Sequence, residues 1–245
     1  MFSIIDILRE AIEKEAIFKI GQSSFVGPEA DYTYKFTSCE NKTYWLKPCM
    51  EIIINPSNSN PQTGKVISIE NNNSIIVKFE NTLVGTFDSF IIPAPSFVHG
   101  TMPMANIEIS REQCPMPIGY LFELFTQKYG KKEDVNNYIA ENLRIFFMDD
   151  YPYSNEWITE DHYENVIYPM QNLAFFVLDN LKNDIKRIDK DYIENNTYKL
   201  INRVKTGVFK GTKGNEKSSF ARNLSGVELN LSLAVKKDND CCDCC

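Results

Sequence analysis

The sequence predicts an α+β fold: an antiparallel sheet packed on one long helix, with an additional small all-β unit that is a barrel or a sandwich. Residues 31–98 carry a period-two hydrophobic pattern interrupted by turn residues, which indicates short antiparallel strands. Residues 118–236 place one long apolar-striped helix among alternating segments, the order typical of a helix on a sheet. Of the 245 residues, 43% are hydrophobic, which is enough to bury a sizeable core and excludes disorder over the whole chain.

Charge and histidine content narrow the function classes. The formal net charge is −7, and an acidic chain is poorly suited to coating nucleic acid, because duplex affinity comes mainly from Lys and Arg on phosphates. The two histidines leave little scope for His-rich metal or acid–base chemistry.

Neither a membrane span nor an export signal is expected. No apolar run approaches the roughly 20 residues that a spanning helix needs. The N-terminal segment lacks the basic start and continuous apolar centre of a signal peptide. We therefore expect a chain made and folded in a cytosol, with its cysteines as thiols.

The first predicted element is an amphipathic helix over residues 3–19 that ends near Gly21, because apolar and charged residues fall largely on opposite faces. We expect residues 1–22 to pack on the C-terminal domain. The all-β unit at residues 31–98 is then an insertion rather than a separate N-terminal domain.

Within the all-β unit, the clearest hairpin runs from Gly64 to Phe79. Its turn at residues 71–73 is three asparagines, which adopt the left-handed conformations that a tight turn requires. Prolines then crowd residues 93–117. Because proline breaks regular ladders, we place an extended proline-rich linker at residues 99–117.

The C-terminal domain, residues 118–236, begins with two mostly buried strands. These are Ile118–Phe125 and Leu143–Met148, and residues 133–142 between them are predicted as a short helix or turn. A Cys-rich tail at residues 237–245 follows the domain.

The longest helix opens at Thr159, a suitable N-cap that two acidic residues follow in the first turn. Pro169 lies inside its apolar pattern, so we expect a kink or two helices meeting there. Tyr198–Phe209 and Val227–Val235 are predicted strands, and residues 210–220 are a basic loop between them.

Three motifs contain residue types that are used in chemical sites, but their patterns favour structural interpretations. The glycines from Gly207 to Gly214 lack the spacing of a phosphate-binding loop. The acidic pairs Asp149-Asp150 and Asp161/Glu164 lack the Lys, His or third acid that usually accompanies a magnesium site or acid–base work.

His99 and the aromatic residues of the all-β unit also favour structural interpretations. His99 has no Ser or Cys nucleophile motif in the chain, so its expected role is to tie down carbonyl groups of the linker. The aromatic set resembles a base-stacking platform, but no basic groove accompanies it, so core packing is favoured. This set consists of Phe36, Tyr44, Trp45 and Phe79.

The terminal cysteines are the weak candidates for a metal site. Four thiolates bind Zn²⁺, but a structural zinc site usually takes its second pair from a distant segment. Pairing with neighbouring chains, or packing as small apolar side chains, is favoured over zinc. These residues are Cys241, Cys242, Cys244 and Cys245.

Four segments of the chain carry distinctive motifs. Pro95–Glu108 reads P-x-F-x-H-G-T…N-x-E, and Pro115–Glu123 follows with P-M…Y-L-x-E. Phe146–Tyr151 reads F-F-M-D-D-Y, and Tyr163–Met170 contains Y-E-N-V-I-x-P-M. In these motifs the chain resembles a group of virion proteins from tailed phages and prophages, including crAss-like phages. The likeness covers residues 35–235 and brings no catalytic residues.

The C-terminal domain is also similar in element order to phage tail-terminator and tail-completion proteins, which close into rings. The resemblance implies a structural, non-enzymatic subunit of a head–tail connector, neck or tail ring of about six or twelve copies, without a cofactor. The implied location is the virion, after assembly in the host cytoplasm. The implied partners are further copies of this chain, neighbouring neck, tail or portal-proximal proteins, and genome DNA that passes without specific binding.

Projecting loops are the expected docking points between rings. Candidate partner-binding residues are Asn55 and Asn60 in one loop, and Lys210 and Lys213 in the other. Two alternatives stay open: a soluble adaptor that binds metal or nucleic acid, and a hydrolase that uses His99 or the 149–164 acids.

Overall fold

The computed structural model describes residues 2–26, 32–40, 42–54, 60–70, 73–83, 87–109, 116–130, 136–150, 162–206, 208–210, 216–218 and 223–237. The chain divides into two compact units. The first, here called the sheet unit, comprises Met1–Glu13 and Pro95–Cys245, and the second, the barrel unit, comprises Lys14–Ala94.

The barrel unit is a closed six-stranded antiparallel barrel with the strand order β1-β2-β5-β4-β3-β6. Strands β2 to β5 form a Greek key. Strands β3, β4 and β5 are successive antiparallel neighbours, and β2, which precedes them in the chain, lies beside β5. The strands are β1 (Ala16–Phe25), β2 (Thr33–Ser38), β3 (Glu51–Ile54), β4 (Gln62–Glu70), β5 (Ser74–Phe79) and β6 (Ser89–Ile92).

The apolar side chains of the period-two pattern fill the barrel interior. Phe18 and Phe90 stack with ring centroids 4.5 Å apart, and Phe36 packs edge-on against Phe90. Gly64 also faces this core, because a Cβ atom there would lie 2.5 Å from the Phe79 ring. The loop after β2 contributes the buried Trp45, whose Nε1 donates a hydrogen bond of 3.2 Å to the carbonyl of Pro93.

The sheet unit contains a mixed sheet with the strand order β11-β14-β10-β8-β7, and β9 pairs with the first part of β10. A separate hairpin joins β12 and β13. The strands are β7 (Ser96–Gly100), β8 (Ile118–Phe122), β9 (Thr126–Tyr129), β10 (Asn136–Asp150), β11 (Lys199–Thr206), β12 (Val208–Lys210), β13 (Glu216–Ser218) and β14 (Leu224–Lys236).

Helices lie on both faces of this sheet. Helix α2 packs on the face that carries Tyr120, Phe146 and Met148. Helix α1 lies over the other face, where a Cβ atom on Gly119 would meet Ile12 at 2.8 Å. The helical segments are α1 (Ile4–Ile12), α2 (Met102–Ile109), a π-helix (Tyr163–Ile167), α3 (Tyr168–Asn183) and α4 (Lys190–Asn195).

The structure confirms the α+β class and shows that the all-β unit is a barrel, but it corrects the N-terminal helix. Helix α1 ends at Ile12, and residues 16–25 form strand β1 rather than further helical turns. Ala16 and Phe18 are buried whereas Ile17 is exposed, so the chain changes to period two before Gly21.

The predicted proline-rich linker at residues 99–117 is wrong. Residues 96–100 form β7, and residues 102–109 form α2. Pro103 occupies the first turn of α2, where its missing N–H is not needed. Pro117 directly precedes β8, so these prolines mark the boundaries of elements instead of preventing them.

The sequence predicts an antiparallel sheet, but the observed sheet is mixed. Strands β7 and β8 run parallel, with Ser96 opposite Ile118 and Gly100 opposite Phe122. Helix α2 supplies the crossover connection that a parallel pair requires.

Residues 136–142 belong to the 15-residue strand β10, not to the predicted helix or turn at residues 133–142. The β10–β14 register shifts between Ala140 and Leu143, and Asn142 has a positive φ of 60°. This irregularity interrupts the alternation from which a strand is recognised.

The later predictions have mixed outcomes. Two helical segments do meet beside Pro169, because the π-helix ends at Ile167 and α3 begins at Tyr168. The basic loop at residues 210–220 is shorter than predicted, since residues 216–218 form β13. Thr159 lies outside the described residues.

Candidate functional site

The two edges of the mixed sheet, at β7 and β11, are the candidate functional surfaces of the sheet unit. His99 lies on the β7 edge, where its Nδ1 contacts the Glu123 carboxylate just after β8. The Phe97 ring stacks on the imidazole at 5.7 Å, and the Arg9 guanidinium lies 5.6 Å above the Phe97 ring. His99 therefore ties together strand ends through a carboxylate, and not through linker carbonyls as the sequence had suggested.

Helix α1 covers part of the β7 edge. Oε1 of Glu13 accepts a hydrogen bond of 3.2 Å from the backbone N–H of Phe97. Edge strands expose such groups to pairing with another chain, so a side chain that binds one of them makes strand addition here less favourable. A partner that binds this edge is therefore expected to contact mainly its side chains rather than its backbone groups.

Three exposed apolar side chains lie beside the β7 edge and form what we call the α2 patch. Met104 and Ile107 on α2 are both 61% exposed, and Leu124 is 68% exposed. Gly100 joins the two parts, because a Cβ atom there would lie 3.4 Å from that of Met104, and its carbonyl accepts a hydrogen bond from Glu123. Exposed apolar side chains grouped in this way make the α2 patch a candidate contact surface.

The opposite edge, β11, carries a second apolar surface that we call the β11 patch. Phe175 on α3 is 45% exposed, and Tyr198 immediately before β11 is 41% exposed. The Gln171 amide donates to Asn202 Oδ1 at 2.7 Å, which fastens this face of α3 to β11. Phe175 lies one turn along α3 from Gln171, on the same side of the helix.

A charged pair stiffens the face between these edges. Nε of Arg144 donates a 2.6 Å hydrogen bond to Glu228, which is 6% exposed, and the guanidinium also lies over the rings of Phe122 and Phe146. The hydrogen bond to Glu228 raises the pKa of Arg144, so the guanidinium stays charged. Burial raises the pKa of Tyr120 to about 12, and its hydroxyl donates to the Gly100 carbonyl at 3.0 Å.

Sequence reasoning missed a buried polar cluster at the other end of β10. Nε2 of His162 lies 2.8 Å from Oγ of Ser225, and Asp149 is directly opposite Ser225 in the β10–β14 pair. Ser, His and Asp are the residue types of a hydrolytic triad. Ser225 is 0% exposed, however, and a nucleophile must reach its substrate, so the described geometry fits a tie between the π-helix and the sheet.

The cluster was not visible in the sequence because 63 residues separate His162 from Ser225. Only the strand register brings Asp149 opposite Ser225. Among the described residues, which include Asp149, Asp150 and Glu164, no group of three or more His, Cys, Asp or Glu side chains is placed to hold a metal ion.

The other predicted site residues are placed as follows. Phe36, Trp45 and Phe79 are buried in the barrel core, the interpretation that the sequence favoured over base stacking. Asn60 lines a cleft on the barrel, and Lys210 ends β12 opposite Glu216. Asn55, Asp161, Lys213 and the terminal cysteines Cys241, Cys242, Cys244 and Cys245 lie outside the described residues.

No protein-family model, curated protein or solved structure matches this chain. Among the helices in the described part of the chain, none is long and apolar enough to cross a membrane.

Proposed function

We propose that the chain is a structural protein of a tailed-bacteriophage virion, a subunit of a neck or tail ring that joins capsid to tail. The motif likeness described above supports this assignment. In the finer form of the proposal, the sheet unit is a tail-terminator-like arrangement of a sheet packed on one long helix. The contacts of α3 with β10 and β14 support this form of the proposal.

The observation that carries the proposal is the difference between the two sheet edges. The α2 patch and the β11 patch lie at opposite ends of one strand order. Contact between unlike surfaces is heterologous, and a heterologous contact closes into a ring when the rotation between neighbouring copies is a whole fraction of a turn. In the proposed ring, the α2 patch of each subunit contacts the β11 patch of the next.

The acidic composition suits a passage for DNA. A net charge of −7 gives phosphates little to bind, and a lumen without an excess of cations lets the genome slide. Partners in this proposal are further copies of the chain and the neighbouring neck and tail proteins. No group-transfer or hydrolytic step is assigned to any residue.

The proposal is tested by the assembly state of the full chain. Light scattering coupled to gel filtration, with electron microscopy of the peak, is expected to show closed rings. Leu124→Lys in the α2 patch and Phe175→Lys in the β11 patch each place a charge in the contact and are expected to yield monomers.

Ile185→Lys is the matched control. Ile185 is 61% exposed but belongs to neither patch, so this variant is expected to keep the wild-type assembly. A wild-type chain that stays monomeric at high concentration, or patch variants that assemble as the control does, contradicts the proposal.

A further inference from the structure

The β11 edge of the mixed sheet is basic, in a chain whose net charge is −7. Strands β11, β12 and β13 contain more basic than acidic residues, and we call these three strands the basic edge. Lys199 is exposed, and Nζ of Lys182 on α3 lies 6.0 Å from the ring centroid of Tyr198, directly before β11. The charged residues of the basic edge are Lys199, Arg203, Lys205, Lys210, Lys217 and Glu216.

The backbone of β11 is open to pairing on its outer side. In the described part of the chain, the one strand beside β11 is β14. The opposite edge of the sheet differs, because Glu13 accepts a hydrogen bond from the N–H of Phe97 in β7. An open edge pairs with another extended segment, and lysines along it discourage segments that are neutral or basic. The basic edge is therefore selective for an acidic extended segment.

The chain itself contains such a segment at residues 238–243, which lie outside the described residues. We call it the acidic segment, because it has three acids and no basic residue. The point where it begins is fixed: the N–H of Lys236 donates a 2.8 Å hydrogen bond to the carbonyl of Arg187, and its Nζ donates to that of Ile185 at 2.8 Å. The three acids are Asp238, Asp240 and Asp243.

The acidic segment cannot lie along the whole basic edge of its own copy. Lys205 is opposite Ser225, which is eleven residues before Lys236 in β14. At the rise of a strand this is a separation of about 36 Å. Asp243 is seven residues after Lys236, and seven residues span at most about 25 Å. The segment therefore lies beside Lys205 only when the basic edge belongs to another copy.

We propose that the acidic segment of one copy binds, in extended form, along the basic edge of a neighbouring copy. This inference rests on the proposed ring, because it needs a neighbouring copy, and it adds a second contact to that of the two apolar patches. Opposite charges across a contact align the correct partners and disfavour wrong ones. Because salt screens exposed charges, the contact is expected to weaken as ionic strength rises.

A fluorescent peptide of residues 238–243, kept reduced so that no disulfide forms, tests the contact directly. The acceptor is the full chain with Asp238→Asn, Asp240→Asn and Asp243→Asn, whose own segment does not compete for the edge. Fluorescence anisotropy is expected to show saturable binding that weakens by about tenfold or more between about 50 mM and about 300 mM salt. Binding no stronger than that of a peptide with the same three Asp→Asn changes overturns the proposal.

The double change Lys199→Gln and Lys205→Gln in the acceptor is expected to weaken peptide binding by about tenfold or more, since two charged hydrogen-bond donors are lost. The double change Lys42→Gln and Lys65→Gln is the matched control, because both lysines are exposed and belong to the barrel unit. Equal losses in the two variants would show that only the general charge matters, and would overturn the proposal. If the basic-edge variant loses affinity for duplex DNA of random sequence but keeps the peptide, the edge binds nucleic acid and the proposal is also overturned.

The assembly of the full chain separates this inference from the proposed ring. At low salt, rings of the triple Asp→Asn variant are expected to dissociate at about tenfold higher protein concentration than wild-type rings, and high salt is expected to remove the difference. Equal stability of the two rings at low salt contradicts this inference and leaves the ring proposal intact. A wild-type chain that stays monomeric but whose Asn variant binds the peptide contradicts the ring and supports the contact.

Discussion

At the scale of single residues, the tightest constraints in this molecule fall on glycines in strands. A Cβ atom on Gly226 would lie 1.8 Å from the carbonyl oxygen of Phe147, and one on Gly119 would lie 2.8 Å from Cγ2 of Ile12. The first obstacle is backbone of the β10–β14 pair, near the end at Asp150, whereas the second is a side chain. The two positions therefore differ in what can move to make room.

Gly226→Ala is expected to destabilise the protein by more than about 4 kcal/mol, because the backbone of the partner strand has to shift. Gly119→Ala is expected to cost about 1–3 kcal/mol, the usual range for overpacking against a side chain that can adjust. Urea unfolding of the purified variants measures both values.

A double-mutant cycle separates the two mechanisms. Gly119→Ala combined with Ile12→Ala is expected to be less destabilised than the sum of the single changes, because the truncation makes room for the new methyl group. Additive values for this pair would show that Ile12 is not the obstacle.

At the scale of elements, β7, α2 and β8 form a parallel crossover unit fastened by Tyr120. The side chain is 1% exposed, and its hydroxyl donates to the carbonyl of Gly100 at the end of β7. Burial favours the neutral phenol and raises its pKa from 10.0 to about 12. Ionisation of this one group thus opposes the packing of the whole unit.

The sign of the pH effect follows from that shift. Between pH 10 and about 12 the unfolded chain has lost the proton that the folded chain retains, so the stabilising contribution is complete below pH 10 and is lost as pH rises. The midpoint of chemical unfolding is expected to fall across this interval in the wild type. The fall is expected to be shallower in Tyr120→Phe, which has no proton to lose.

Tyr163→Phe is a suitable control for the pH experiment, because Tyr163 is 39% exposed and lies outside the crossover unit. It should retain the wild-type slope. A Tyr120→Phe variant whose slope matches that of Tyr163→Phe would show that the buried phenol is not the responsible group.

Whether an element was predictable depended on how regular its pattern is. Strands β4 and β5 alternate over most of their length, despite the register shift between Val66 and Ser68, and their hairpin was predicted. Strand β1 was absorbed into the preceding helix, because its first residues continue an apolar run that fits both periods. Of strand β10 only Leu143–Met148 was predicted as strand, because the register shift before Leu143 interrupts the alternation in the first part.

The candidate surfaces were less predictable than the elements. His99 attracted attention as one of two histidines, but its partner Glu123 was not foreseen. The two patches depend on which strands form the sheet edges. That order is set by long-range pairing such as β10 with β14, which local patterns do not contain.

At the scale of the whole molecule, two separate cores divide the chain. Phe90 is 1% exposed inside the barrel unit, and Phe147 is 0% exposed inside the sheet unit. The barrel and the mixed sheet share no strand, because each is built from strands of its own unit. Loss of packing in one core is therefore expected to act first on its own unit.

Phe90→Ala is expected to cost the barrel unit about 3–5 kcal/mol. In hydrogen exchange, amides of β1 to β6 should then exchange faster, while those of β10 and β14 keep wild-type protection. Phe147→Ala is the reciprocal variant, with increased exchange confined to the sheet unit. If either change speeds exchange equally in both units, the two cores unfold as one.

The pairing of β1 with β6 brings the two ends of the barrel unit together, and we expect this to affect how the chain folds. Ala16 lies opposite Ile92, so the completed barrel holds its own entry and exit side by side. On the ribosome, the barrel emerges before β8, β10 or β14 exists. Its closure draws Glu13 towards Phe97, a hydrogen-bonded pair that is 84 positions apart in the chain. Closure of the barrel therefore reduces the loop-closure entropy that remains to be lost when α1 packs on the sheet.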